Sequence, residues 1–474
     1  MNKGDFRKRA HQMVDWMADY LEQVDNYTVM SQVKPGDIKA QLPNLPPTTA
    51  ESFEQIMADV DKIIMPGITH WGSSNFFAYF PASKSEASIL AEMMMASLGT
   101  QGMLWLTSPA ATELEEQMMQ WLRQMMGLPA YMQGVIQDTA SSATLAAILS
   151  AREKASNWAI NERGFSTQEK FVVYSSDQVH SSIDKAVKIA GIGIENLRRI
   201  PTDENFAMIP NALKAQIEKD KREGFQPLCV VSALGTTSST ALDPIDAIGS
   251  ICEAYGIWHH VDAAYAGAAL LLPECRYMAI GMEKADSFVF NPHKWMFVNF
   301  DCSVYFVKDA QTLKRTFSVN PEYLRTSNDD EVTNYRDWHI QLGRRFRALK
   351  LWFVIRSYGV EGLQEKLRSH IAMGQWLKTE IENHPQFELM APVPLNLVCF
   401  RFLPPMCSST DEINQFNEHL LNALNVTGKI FITHTKLNGM YTLRLVPGNF
   451  HVSLAHVQQA WELITKTAIS LQKK

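Results

Sequence analysis

The stretch SFVFNPHKWMFVNFDCSVYFV, residues 287–307, sets two short apolar runs on either side of Lys294, which is flanked by a histidine and a tryptophan. Runs rich in Val, Phe and Tyr and bounded by Asn, Pro and Asp read as strands, here SFVFN (287–291) and CSVYFV (302–307). Within the stretch no acidic residue lies nearer to Lys294 than Asp301. Removing an ammonium from water is costly. A lysine in such a run therefore either snorkels to solvent or is held there for chemistry that needs an uncharged amine.

Upstream, FVVYSS (171–176), PLCVVSA (227–233) and IWHHVDAAY (257–265) are further apolar runs. Helical segments such as TLAAILSAREKA (144–155) and PNALKAQIEKDKREG (210–224) lie between them. This alternation predicts an α/β fold with a mostly parallel central sheet flanked by helices. Ligands of such sheets sit at the carboxyl ends of the strands, so the residues just after each run are the candidates. They are His180 after FVVYSSDQV, Thr236 in LGTTSST, Asp262 before AAYAG, and Lys294 closing NPHK. The hydroxyl-rich turn GVIQDTASSATL (134–145) enters a helix, and the N–H groups and dipole at a helix start make a natural phosphate seat.

Singly, each residue has an ordinary structural role: an Asp that ends a turn, a satisfied histidine, a Ser or Thr that caps a helix. Together they supply what pyridoxal 5′-phosphate requires. The lysine forms a Schiff base with the aldehyde, the carboxylate keeps the ring nitrogen protonated, and a flat side chain stacks on the ring. Desolvation lowers the pKa of such a lysine toward the uncharged form that the chemistry needs.

The 474 residues, 46% hydrophobic and 20% charged, are long enough for two or three domains. A formal charge of −6 without any long basic run points away from nucleic acid and anionic membranes. The first 24 residues lack an uninterrupted apolar core, so no secretory signal is expected, nor does any run approach a membrane span. Six scattered cysteines without a C-x-x-C pair predict reduced thiols in a cytoplasmic protein, with neither a disulfide frame nor a metal site. Residues 1–85 read as a helical N-terminal arm with a proline-rich connector (34–47), which packs on the main domain or on a second copy of the chain. Residues 86–350 read as the large cofactor-binding domain, and 351–474 as a smaller C-terminal α/β domain. A polar loop (320–338) leads into a basic helix, GRRFRALKLWFVIRSYG (343–359).

SSDQVHSS (175–182), LGTT (234–237), HVDAAYAG (260–267), NPHKW (291–295) and FDCS (300–303) resemble the group II pyridoxal-phosphate-dependent decarboxylases, and among them the aromatic L-amino-acid decarboxylases. The resemblance runs from FFAYFP (76–81) through SPAATELE (108–115) to LGRRFRALKLWF (342–353) and thins after about 360. It implies a fold-type I enzyme, an obligate homodimer with shared active sites. It also implies decarboxylation through a Lys294 aldimine and a quinonoid to an arylalkylamine and CO2. By motif, Lys294 matches the Schiff-base lysine, Asp262 the partner of the pyridine nitrogen, and His180 the ring-stacking histidine. Ala140, Ser141, Thr236, Ala264, Asn291 and His293 match cofactor contacts. Tyr323 matches the tyrosine of a mobile loop that protonates the α-carbon in the neighbouring subunit's site. Trp71, Tyr79, Phe80, Pro81, Ala82, Gln101, Met103 and Gly343 match the substrate pocket. Ala82, Gln101 and Met103 depart from the threonine, isoleucine and phenylalanine of the animal enzymes. Gly343 stands where phenol-preferring relatives carry serine, which leaves room for an indole. The same scaffold also supports aromatic aldehyde synthases, whose members commonly replace the loop tyrosine by phenylalanine or the stacking histidine by asparagine. A non-catalytic relative that only binds the cofactor would be expected to have lost Lys294, Asp262 or Tyr323, and a decarboxylase of acidic substrates fits poorly with Trp71, Tyr79 and Phe80.

Overall fold

The computed structural model describes residues 3–166, 169–319, 321–324 and 331–473. Two units divide the chain. The larger comprises Ala82–Ile371 with Ala391–Leu395, and the other Met1–Pro81, Ala372–Met390 and Asn396–Lys474.

The larger unit is built on seven strands: β1 (Gln133–Gln137), β2 (Phe171–Ser176), β3 (Leu197–Ile200), β4 (Gln226–Ala233), β5 (Trp258–Asp262), β6 (Ser287–Phe290) and β7 (Ser303–Val307). Their order is β1-β7-β6-β5-β4-β2-β3, and β7 alone opposes the direction of the other six. Every residue of β2, β5, β6 and β7 is buried, as near-continuous apolar runs demand when both faces are covered. The two-residue period divides the covering. Val173, Cys229 and Val231 pack with Leu145, Ile148, Ile183 and Val187 on one face. Val172, Tyr174 and Val230 pack with Leu213, Ile217, Ile248 and Cys252 on the other.

Two strands escape the sequence reading. β1 lies within what reads as a turn, and β3 (LRRI) carries two arginines, which pair with Asp220 and Asp184 on neighbouring helices. The basic helix begins five residues later than expected, at Ala348, and runs to Asn383 with a break at Gly359 (φ 65°). The preceding arginines are engaged elsewhere. Arg344 reaches Glu115 and the Ile136 carbonyl, and Arg347 holds Asp301, so 343–347 follows those partners instead of coiling.

In the smaller unit β8 (Phe387–Leu389), β9 (Val398–Phe402), β10 (Thr433–Leu437) and β11 (Met440–Leu445) form an antiparallel sheet in the order β10-β11-β9-β8. Asn438 and Gly439, both at positive φ, make the tight β10–β11 turn. Segments of the expected N-terminal arm are hydrogen-bonded to the C-terminal segment within this unit. Phe77 N–H donates to the Phe431 carbonyl (2.9 Å), Val446 N–H to that of Phe77 (3.0 Å), and Val29 N–H to that of Gly428 (2.8 Å). The expected boundary at 350/351 falls inside the long helix, and the division between units comes at 371/372. Among the described residues no helix is long and apolar enough to cross a membrane.

Candidate active site

Because β4, β5 and β6 are parallel neighbours, their carboxyl ends lie side by side, with Ala233 opposite Asp262 and Asp262 opposite Val289. The chain leaves β5 at Asp262, not at Tyr265 as the apolar run implied. Asp262 Oδ1 accepts the Ala264 N–H (3.0 Å), and the Ala264 carbonyl accepts that of Asn291 (3.0 Å), so the turn after β5 is bonded to the turn after β6. Leu234 N–H in turn donates to the Asp262 carbonyl (2.9 Å). At Gly235 (φ +86°) a Cβ would come within 2.5 Å of the Ala266 Cβ, so only glycine lets the LGTT and DAAYAG turns approach this closely. Thr236, 1% exposed, closes its own turn by accepting the Ala241 N–H.

Lys294 sits on the short helix Pro292–Trp295 beyond β6, half-buried between fully buried neighbours. His293 on one side exchanges backbone and side-chain bonds with Cys302. Its N–H donates to the Cys302 carbonyl (3.2 Å), and its Nδ1 accepts the Cys302 N–H (3.0 Å), which puts the neutral ring's proton on Nε2. Burial first, then the Lys294 charge, pushes the His293 pKa down to about 3. On the other side the Trp295 ring stacks on Tyr265 (4.8 Å between centroids), and its Nε1 donates to His370 Nδ1 (2.9 Å).

The phosphate seat proposed from the sequence is a helix start. The helix Ala140–Ala155 is capped by Thr139, whose hydroxyl accepts the Ser142 N–H. Asp138 accepts the Thr139 N–H and the Ser142 hydroxyl. The first amides of a helix have no partner within it, which leaves those of Ala140 and Ser141 for a ligand. Ser303 Oγ, at the start of β7, lies 2.7 Å from Asn291 Oδ1 and 3.3 Å from the Asp138 carbonyl, its one hydrogen directed at the nearer oxygen, and so stands between the helix start and the Lys294 turn. Its motif was evident in the sequence, but its linking role depends on β1 and β6 flanking β7.

His180 lies beyond β2 and is exposed overall, but its electrostatic neighbours are Asp262, Lys294 and Lys185. Partial burial lowers its pKa. The Asp262 carboxylate opposes that shift, and the two lysines reinforce it. Ser182 N–H donates to Nδ1 (3.1 Å), so the neutral ring carries its proton on Nε2. Asp262, Lys294 and His180 are thus brought together at one sheet edge. A carboxylate, an amine and outward amides on that edge are the donor set that pyridoxal phosphate needs.

The substrate-pocket candidates divide between the units. In the smaller unit Trp71 stacks on Tyr79 (5.6 Å, 11°) and packs against Phe76, while Phe80 lies under Arg444. In the larger unit Gln101 and Gly343 are adjacent. Gln101 Oε1 accepts the Arg344 N–H (2.9 Å), and a Cβ on Gly343 would meet Gln101 Nε2 at 3.1 Å. The space over Gly343 that the sequence left open is therefore bordered by Gln101. The Met103 carbonyl accepts the Arg336 N–H, Ala82 is half-buried, and Pro81, in the smaller unit, is buried. Tyr323 is 78% exposed on the turn Glu322–Leu324, which Arg336 holds through the Leu324 carbonyl (2.7 Å). Of its loop, Asn320 and residues 325–330 lie outside the described residues.

The profile of the pyridoxal-dependent decarboxylase conserved domain matches residues 35–403. An aromatic-L-amino-acid decarboxylase of Catharanthus roseus is 42% identical, covering 99% of this chain and 95% of that protein. A phenylacetaldehyde synthase of Arabidopsis thaliana is 43% identical, covering 100% and 98%. The Oryza sativa TDC structure with PLP and tryptamine matches with a TM-score of 0.97 at 37% identity, covering 100% and 99%. The chain belongs to the pyridoxal-dependent decarboxylase family.

Proposed function

We propose, from that membership, that the protein decarboxylates aromatic L-amino acids to arylalkylamines and CO2, with Lys294, Asp262, His180 and Tyr323 as its working residues. The observation that carries the reading is the convergence of Asp262, Lys294 and His180 on one edge of the sheet, beside the helix start at Ala140 and Ser141. Bound there, the cofactor supplies the electron sink that takes up the pair left by departing CO2. Lys294 would hold the cofactor through its Nζ and would be the group on which the product amine is exchanged. Asp262 holds a proton at the ring nitrogen, and its fixed bond to the Ala264 N–H orients the carboxylate. His180, neutral through its depressed pKa, presents a flat uncharged face to the ring. The Tyr323 hydroxyl delivers the proton that replaces CO2 on the α-carbon. Its exposure in one chain fits a loop that completes the site of a second.

The half-exposed rings of Trp71 and Tyr79 favour an aromatic substrate over an acidic one. A homodimer is supported by Leu90, Met94 and Leu98, exposed at four-residue intervals along the helix Glu86–Leu98. We place the protein in the cytoplasm, where its six reduced thiols, five of them buried, persist. The similarity to a phenylacetaldehyde synthase favours aldehyde synthesis as a second reading. The presence of both Tyr323 and His180 argues for the amine.

The test gives purified protein with pyridoxal phosphate an equimolar mixture of L-phenylalanine, tyrosine, dihydroxyphenylalanine, tryptophan and 5-hydroxytryptophan. Products are read by mass spectrometry. Amines as the main products are expected. Aldehyde with hydrogen peroxide would replace this reading by the second, and conversion of none of the five would remove the aromatic assignment.

A further inference from the structure

Behind the strand ends runs a polar chain sealed from solvent. Trp258 Nε1 donates to Ser287 Oγ (2.9 Å), which lies 2.8 Å from His260 Nδ1, while His260 Nε2 lies 3.2 Å from Thr144 Oγ1. Ser287, His260 and Thr144 are 0% exposed. An indole N–H only donates, so the Ser287 oxygen accepts there, with a second lone pair and one hydrogen left for His260 Nδ1 and the Tyr305 hydroxyl. In either neutral tautomer the ring donates from one nitrogen and accepts at the other, so it bridges Ser287 and Thr144. Burial holds His260 neutral, with its pKa lowered to about 3.

The three elements so joined are those that end in the site. Thr144 is one turn into the helix that starts with Ala140 and Ser141. His260 stands two residues before Asp262 on β5, directly across the ladder from Ser287 at the start of β6. The far end of β6 leads to Asn291 and Lys294. Apolar side chains would fill this space without any need to satisfy polar atoms, and a buried polar chain is tolerable only when each member is bonded. A bridge from helix to strand also fixes something packing alone leaves softer: how far the helix start stands from the ends of β5 and β6.

We propose that His260 is a positioning residue for the cofactor. By joining Thr144 to Ser287, it matches the spacing between the Ala140–Ser141 amides and the Asp262–Lys294 ends to the length of a phosphate-bearing pyridine aldehyde. This rests on the reading of that edge as the pyridoxal phosphate site.

The experiment compares binding of pyridoxal phosphate and of pyridoxal, which lacks the phosphate, by visible absorbance and tryptophan fluorescence quenching. Parent, Thr144→Val, Thr144→Ser and His260→Leu are measured. Thr144→Val removes the hydroxyl at nearly constant shape and should weaken pyridoxal phosphate binding roughly tenfold. Pyridoxal spans only one end of the site, so its affinity should move less than about twofold, and the preference for the phosphate ester should fall by nearly the same tenfold. Thr144→Ser should restore most of that preference, and His260→Leu should lower it at least as far. If His260→Leu does not fold, the two Thr144 variants decide. Equal weakening of both ligands, or a lower Tm with the preference intact, would mean that the chain only packs, and would overturn the proposal. A parent that binds pyridoxal phosphate no better than pyridoxal would overturn the site reading along with it.

Discussion

His259, His260, His293 and His339 are buried, and burial is the chief reason each is held at a pKa of about 3. In the unfolded chain each returns to 6.5. A base whose folded pKa is depressed takes its proton more readily when unfolded, so stability falls as pH drops through 6.5 and goes on falling toward 3. One pKa unit corresponds to about 1.4 kcal/mol, so inside that window four such groups remove about 5 kcal/mol per pH unit. Between pH 7 and pH 5.5 the unfolded imidazoles pass from mostly neutral to mostly charged, and the integrated loss is again about 5 kcal/mol. Whole domains are stable by only ~5–15 kcal/mol, so the protein should be close to unfolding near pH 5. Carboxylates held below their usual range, such as Glu274 and Glu462, give up their stabilisation only at lower pH, while buried Asp243, raised to about 6, gains stability as pH falls and offsets a small part of the histidine loss. The assay is urea unfolding of the cofactor-loaded protein at pH 7.5, 6.5 and 5.5, followed by tryptophan fluorescence. Proton uptake on unfolding is measured alongside by calorimetry in buffers of different ionisation heat. At pH 5.5 these four groups should take up about 3.6 protons, and His339→Phe should remove about a quarter of the pH slope. A urea midpoint that does not move between pH 7.5 and 5.5, or uptake below about one proton, would refute the reasoning.

Replacing Tyr323 by Phe should divert product from amine toward aldehyde with hydrogen peroxide. Amine alone at the parent rate would take the proton-donor role from Tyr323. Arg344→Met should cost about 3–5 kcal/mol in urea unfolding, because it leaves the Glu115 carboxylate, 2% exposed, without its guanidinium at 2.6 Å. Adding Glu115→Leu should recover part of that loss; the Ile136 N–H that Glu115 also accepts would still lack a partner. Stability equal to the parent in Arg344→Met would show the pair to be dispensable. Gly343→Ser puts a Cβ at 3.1 Å from Gln101 Nε2 and should loosen the Gln101–Arg344 bond, shifting the tryptophan-to-tyrosine ratio of kcat/KM by roughly tenfold toward tyrosine. With Gln101→Ala in the background the shift should shrink, and an unchanged ratio in both backgrounds would take these residues out of the pocket.

The buried strands were legible because parallel strands covered on both faces must be apolar throughout, and FVVYSS, PLCVVSA and SFVF leave no other reading. β1 was hidden by its length and by the hydroxyls that follow it. Its pairing with β7 is set by a partner about 170 residues away, and no local periodicity reports that. The start of the long helix was misplaced for a related reason. GRRFR has good helix formers, but Arg344 and Arg347 gain more from the carboxylates of Glu115 and Asp301 than from a further helical turn. The N-terminal residues read as an arm that packs on another body because their own apolar content is thin. The backbone bonds of Phe77 and Val29 to the C-terminal segment supply what the side chains do not.

The site residues were legible one by one, since each needs a definite type at a strand end. What joins them was not. Ser303 spans two turns and His260 two layers, with a partner 116 residues from it in sequence. That difference bears on the choice posed by Lys294, between a lysine that snorkels and one that is held. A snorkelling side chain needs slack in its stem and asks nothing of its neighbours. Here the backbone on both sides is fixed: His293 is double-bonded to Cys302 by hydrogen bonds, and Trp295 is clamped between the ring of Tyr265 and the imidazole of His370. Both neighbours are buried, and Lys294 alone is left half-exposed at the sheet edge. Two buried anchors around one partly open amine spend ordering on its direction, and direction has value when the amine must meet a second group at a set angle. Solvation alone would need neither anchor.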